Sequence, residues 1–189
     1  MSRRYTELTF SDSVKSVQEE YGVRSSGERL EQMPIDDRQL SPRESDFIAA
    51  RDSFYIASVG EGGWPYVQFR GGPIGFLRQM DSRTLGYADY RGNRQYITTG
   101  NVRADDRVAI ILMDYPNRMR LKLMARMEAR EAADCPELVE KLHDADYKAK
   151  VERVVLLHVE AFDWNCPQHI TPRYTVEQIR EITDLERGE

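Results

Sequence analysis

The segment Tyr87-Ala88-Asp89-Tyr90-Arg91-Gly92-Asn93-Arg94-Gln95 carries the strongest chemical signal in the chain. It reads as the end of a strand, a polar turn, and the first turn of a helix that opens on an arginine. A helix start offers unpaired N–H groups and a partial positive charge, which suit a phosphate. Arg94, with Arg91 beside it, can add charge-assisted bonds to that phosphate. Taken alone, such a segment more often holds an arginine that only faces water. Its neighbours give it weight.

The run Pro65-Tyr66-Val67-Gln68-Phe69-Arg70 precedes Gly71-Gly72-Pro73. Strand alternation puts Tyr66, Gln68 and Arg70 on one face and Val67 and Phe69 on the other. Gln68 and Arg70 can hydrogen-bond a planar polar ring, and Gly71 and Gly72 let backbone approach it. The plain reading is a solvated face with a glycine bulge. Arg118, Arg120, Lys122 and Arg126 share a face further on. Like charges there repel unless an anion, acidic partners or solvent offset them.

Trp164-Asn165-Cys166-Pro167-Gln168-His169 offers three readings. Cys166 with His169 could form a nucleophile pair. The two could instead ligate a metal, although Cys135, His143 and His158 lie without paired spacing. Or Trp164 and Gln168 line a ligand pocket, as an apolar wall and a donor–acceptor pair. Arg91-Gly92-Asn93-Arg94 lacks the ending of a nucleotide P-loop. Arg70-Gly71-Gly72-Pro73-Ile74-Gly75 lacks the spacing of a dinucleotide fingerprint.

The elements that must position these groups are strand-rich. Residues 1–40 read as a helical, polar lead-in. Ser11 caps a helix bearing Val14, Val17 and Tyr21, and a surface connection runs from Arg24 to Gln39. Ser41-Pro42-Arg43-Glu44 is a capping box opening a domain over 41–189. Strands follow at Phe54–Val59, Pro65–Arg70, Ile74–Arg78 and Thr84–Tyr90. A short helix spans Arg94–Thr99 and stops at Gly100-Asn101. Further strands run from Arg107 to Met113, Met119 to Arg130 and Val151 to Phe162. Met119, Leu121, Leu123, Ala125, Met127 and Ala129 share one face. Asp134 with Glu137, and Thr175 with Gln178, mark two more helix starts. The sequence thus predicts an α+β protein, mainly β with flanking helices. It is a closed or nearly closed antiparallel barrel of six or seven strands, with a sandwich as the competing architecture.

The chain has 189 residues and a net charge of −5, which argues against a nucleic-acid surface. No apolar run approaches the roughly 20 residues that span a bilayer. Two cysteines make no disulfide framework, so a cytoplasmic protein is expected. Ile110, Leu112, Val155 and Leu157 look like more apolar surface than one barrel interior needs, which points to a homodimer.

Together the segments resemble the pyridoxamine 5′-phosphate oxidase-like family of FMN-binding split barrels, from about Ser41 to Tyr174. The resemblance rests on Pro65–Arg70, Tyr87–Arg94, the strand Met119–Glu128 and the Trp164 loop. It implies FMN held near a dimer interface by Gln68, Phe69, Arg70, Gly71, Tyr87, Ala88, Asn93, Arg94, Arg120, Trp164 and Gln168. It also implies an oxidoreductase acting on a small molecule. Gly92-Asn93-Arg94 replaces the family's Ser-Arg-Lys phosphate element. Gln68 stands where its strand arginine would be, and its tryptophan-arginine ending is missing. The vitamin B6 substrate therefore does not carry over, and a side branch of the family is expected. The alternative is a non-catalytic flavin- or haem-binding sensor, with His158 or His169 as axial ligand.

Overall fold

The computed structural model describes residues 3–164 and 167–187. Three short helices, α1 (Arg4–Thr9), α2 (Asp12–Glu20) and α3 (Arg24–Glu31), precede α4 (Pro42–Ala49). Seven strands follow: β1 (Ser53–Val59), β2 (Pro65–Gly71), β3 (Arg78–Asp81), β4 (Thr84–Tyr90), β5 (Arg107–Asp114), β6 (Met119–Glu131) and β7 (Val151–Trp164). Helix α5 (Ile97–Ala104) links β4 to β5, α6 (Pro136–Leu142) links β6 to β7, and α7 (Val176–Arg187) ends the described chain.

The strands form one antiparallel sheet in the order β2-β1-β5-β6-β7-β4-β3. Among the described residues its two edges, β2 and β3, do not pair, so the barrel is split rather than closed. The alternation read in β6 holds: Leu121, Leu123, Ala125 and Met127 are buried. They meet Phe54, Ile56, Leu85, Ile110, Leu112, Val155 and Leu157 in one core. Burial of each such large side chain contributes about 1.5–3 kcal/mol, and Leu123→Ala would cost about 2–5 kcal/mol. Ile110, Leu112, Val155 and Leu157 are thus absorbed by the chain's own core, and they are not the surplus expected for a partner.

Three local expectations fail. The supposed connection after Arg24 contains α3. Its Ser-Ser-Gly start has poor helix propensity, but Arg24 bonds Glu31 at 2.8 Å and Gln18 of α2 at 2.8 Å. Residues 74–77 form no strand. Gly75 sits at φ +77° and its N–H donates to Arg51 O, so the chain turns there. Helix α6 starts at Pro136 without a side-chain cap, so Asp134 and Glu137 make no capping box. The capping pair at α7 does form: Thr175 N–H donates to Gln178 at 2.9 Å, and Gln178 N–H donates to the Thr175 hydroxyl at 3.2 Å. No helix among the described residues is long and apolar enough to cross a membrane.

Candidate functional site

The split leaves a seam between β2 and β4, and side chains bridge it. Arg70 donates to Asp89 at 2.8 Å, and the Thr98 hydroxyl donates to Gln68 at 2.8 Å. A cleft of about 300 Å³ opens along this seam. Gln68, Phe69, Arg70, Gly71, Tyr87, Ala88, Asn93 and Arg94, eight of the residues that the resemblance places at the cofactor, all line it.

Its floor is polar and buried. Asp89 is only 2% exposed and also takes two hydrogen bonds from Arg153 of β7, at 2.8 and 3.0 Å. Arg70 Nε and the Tyr87 hydroxyl are buried without a partner. Burial pushes the Tyr87 phenol well above its ordinary pKa, so it stays protonated and can donate. A buried donor with no acceptor is costly, and a polar ligand atom would supply one.

The rim departs from expectation. Arg94 does not open a helix. It lies in a loop at φ +62°, Tyr96 follows at φ +54°, and α5 begins only at Ile97. Gly100 and Asn101 lie inside α5 instead of ending it. Asn93 shapes the loop by accepting the Gln95 N–H at 3.1 Å. Non-glycine residues in the left-handed region cost about 1–3 kcal/mol each, so this turn carries backbone strain that its surroundings must hold. Arg94 Nε donates to the Tyr96 hydroxyl at 3.3 Å. Glu152 pairs with Arg91 at 3.3 Å and with Arg153 at 3.4 Å. Three arginines line the cleft against Asp89 and Glu152. Arg91 joins from its edge through Glu152, so positive charge is in excess there.

Arg120, Trp164 and Gln168 do not line this cleft. Trp164 lies eleven residues beyond Arg153 on β7, roughly 36 Å along the strand at about 3.3 Å per residue. It is clamped to α4: its Nε1 donates to Glu44 at 2.6 Å, Phe47 packs edge-on at 4.8 Å, and Arg43 stacks at 4.5 Å. There it borders a second cavity of about 900 Å³, shared with α1, α2 and residues 30–44. Arg120 Nε is buried without a partner. Arg126 has acidic partners in Asp106 and Glu160, which offsets part of the basic face of β6. Cys166 lies outside the described residues, and its pairing with His169 with it. His158 pairs with Glu128 at 3.3 Å, and neither it nor His169 reaches the cleft. Among the described residues no group of three potential metal ligands gathers.

Sequence reasoning missed Arg153, Glu152, Tyr96 and Thr98. Arg153 had a signal: it is the one lysine or arginine in the mostly apolar stretch Val151–Val159. Tyr96 had none, because its position depends on a left-handed backbone that no local pattern announces.

Residues 40–165 match the family model for pyridoxamine 5′-phosphate oxidase. The chain belongs to the pyridoxamine 5′-phosphate oxidase family. A candidate pyridoxamine 5′-phosphate oxidase from Lactobacillus delbrueckii superposes with a TM-score of 0.52 at 19% identity, over 68% of this chain and 97% of that one. HupZ of Group A Streptococcus gives 0.51 at 15% identity, over 71% and 99%. An FMN-binding protein from Syntrophomonas wolfei gives 0.47 at 14% identity, over 82% and 97%. At these identities the likeness is one of fold. No curated protein of similar sequence was found. The family match and the open seven-stranded sheet make this a split barrel of the pyridoxamine 5′-phosphate oxidase type, and the cleft at its seam holds unpartnered polar atoms on Arg70 and Tyr87.

Proposed function

We propose that the protein is an FMN-dependent oxidoreductase acting on a small molecule, with FMN held in the seam cleft. The carrying observation is the pairing of two unpartnered buried donors, on Arg70 and Tyr87, with Arg94 on the rim and Arg91 beside it through Glu152. Arg94, Arg91 and the 92–95 backbone would hold the phosphate. Gln68, Arg70 and Tyr87 would hydrogen-bond the polar edges of the ring system, and Phe69 and Ala88 would supply apolar walls. FMN, when bound, supplies two-electron redox chemistry, and the protein supplies position and electrostatics. Arg70 would stabilise negative charge near the ring, because Asp89 fixes its guanidinium in place. The missing tryptophan-arginine ending argues for a substrate other than a vitamin B6 phosphate.

The functional unit we propose is a homodimer. Tyr55, Val67 and Phe69 are 38%, 62% and 57% exposed, and Tyr55 and Val67 border an apolar hollow of about 250 Å³ with Ala109, Ile111 and Met124. A second copy would cover this face and could bring its Arg120, Trp164 or Gln168 toward the cleft. Buried, unpaired Cys135 fits a reducing cytoplasm.

The test is an absorption spectrum of the purified protein, mass spectrometry of the released cofactor, and sedimentation. Two flavin bands, a released mass matching FMN and a dimer are expected. A Soret band would favour the haem reading, and a monomer with flavin fully bound would overturn the dimer. A screen of reductants and oxidants, followed by flavin bleaching, then searches for turnover.

A further inference from the structure

Glu152 is an acid in a place built for an anion. Its carboxylate is 14% exposed and lies 3.3 Å from Arg91 Nε and 3.4 Å from Arg153. It also accepts the Tyr96 hydroxyl at 3.2 Å. That same hydroxyl accepts from Arg94 Nε at 3.3 Å. Arg153 keeps Asp89 whether or not Glu152 is present. Arg91 does not: Glu152 is the one carboxylate paired with it among the described residues. The two arginines best placed for a phosphate are therefore both engaged, one directly by Glu152 and one through Tyr96.

We propose that Glu152 is a resident anion that competes with the ligand's phosphate, so that loading exchanges carboxylate for phosphate and keeps cofactor binding reversible. This rests on the phosphate end of the cleft assigned above. To reach a phosphate, Arg91 must leave Glu152 and Arg94 must leave Tyr96. A phosphate that stays beside an ionised Glu152 meets a like charge in a partly desolvated site. Either way the carboxylate lowers affinity for the phosphate group alone. A flavin without phosphate has no part in the exchange. Positioning by Glu152 is the competing role, and it has the opposite sign: removing the carboxylate would then weaken binding.

The experiment titrates FMN, riboflavin and inorganic phosphate into cofactor-stripped wild type and Glu152→Gln, with the glutamine keeping the shape and the Tyr96 contact. FMN should bind about tenfold tighter to the variant and riboflavin within about twofold of wild type. Unchanged or weaker FMN binding overturns the proposal. If neither protein binds FMN, the flavin reading falls on its own, and inorganic phosphate decides this one: tighter binding to the variant upholds it, equal binding overturns it. Should Glu152→Gln fail to fold, Tyr96→Phe frees Arg94 instead. FMN should then bind severalfold tighter, and no gain overturns the exchange.

Discussion

Arg70 and Asp89 form a 2.8 Å ion pair between β2 and β4, two strands that share no backbone hydrogen bonds. Their side chains join the sheet where its backbone does not. Asp89 also holds Arg153, so its loss would leave two nearby guanidinium groups without their shared partner. Asp89→Asn should cost about 3 kcal/mol in urea unfolding, the range for breaking a buried pair. Flavin content should fall with it. Unfolding midpoints equal to wild type would show that the seam is held by packing alone.

Arg94 separates binding from folding. Its side chain is solvent-exposed and, among the described residues, donates one hydrogen bond, to the Tyr96 hydroxyl, so Arg94→Ala should leave the melting temperature of the cofactor-free protein nearly unchanged. FMN affinity should drop roughly ten- to hundredfold, the scale for a charge-assisted bond. Fluorescence titration with FMN measures both proteins, and equal affinities would remove Arg94 from the site.

Tyr87→Phe should move stability and binding in opposite directions. The hydroxyl is buried without an acceptor, so deleting it should stabilise the cofactor-free protein by about 1 kcal/mol. The same deletion should weaken FMN binding, because the cleft loses a donor. Thermal unfolding with and without FMN reads both effects. A variant that is less stable without cofactor would mean the hydroxyl has a partner.

Glu44 gives a pH-dependent prediction. Burial pushes its carboxyl up, but hydrogen bonds from Ser41 and Trp164 outweigh this and hold it below its ordinary value of 4.5. A pKa depressed in the folded state contributes stability above about pH 4.5, lost as pH falls through the folded value. Glu44→Gln should therefore cost about 1 kcal/mol at pH 7, with the deficit shrinking below pH 4.5. A deficit that stays constant down to pH 3 would assign the loss to shape, not charge.

The strands and the faces of β2 and β6 were legible because a period of two is a local property. Tyr66, Gln68 and Arg70 share a face in the structure as in the sequence. The start of α5 was not legible, because Arg94 and Tyr96 adopt backbone angles that their side chains do not favour. Helix α3 was missed because the Arg24–Glu31 and Arg24–Gln18 contacts that hold it appear only after folding. Trp164 shows the limit of a family likeness. The resemblance places it at the cofactor, while within one chain Glu44 and Phe47 hold it beside a cavity other than the seam cleft. The Arg153–Asp89 contact spans sixty-four residues of sequence, a distance no motif search covers.

That span carries a consequence for biosynthesis. The walls of the cleft run from Tyr66 to Arg153, and β7 leaves the ribosome after the other six strands of the sheet. A nascent chain short of β7 has neither Arg153 nor the strand against which β4 pairs. Such non-local closure is slow and late in folding. A chain that stops short of β7 would thus lack a formed cleft, and any ligand taken up there would report that β7 had been made and had docked.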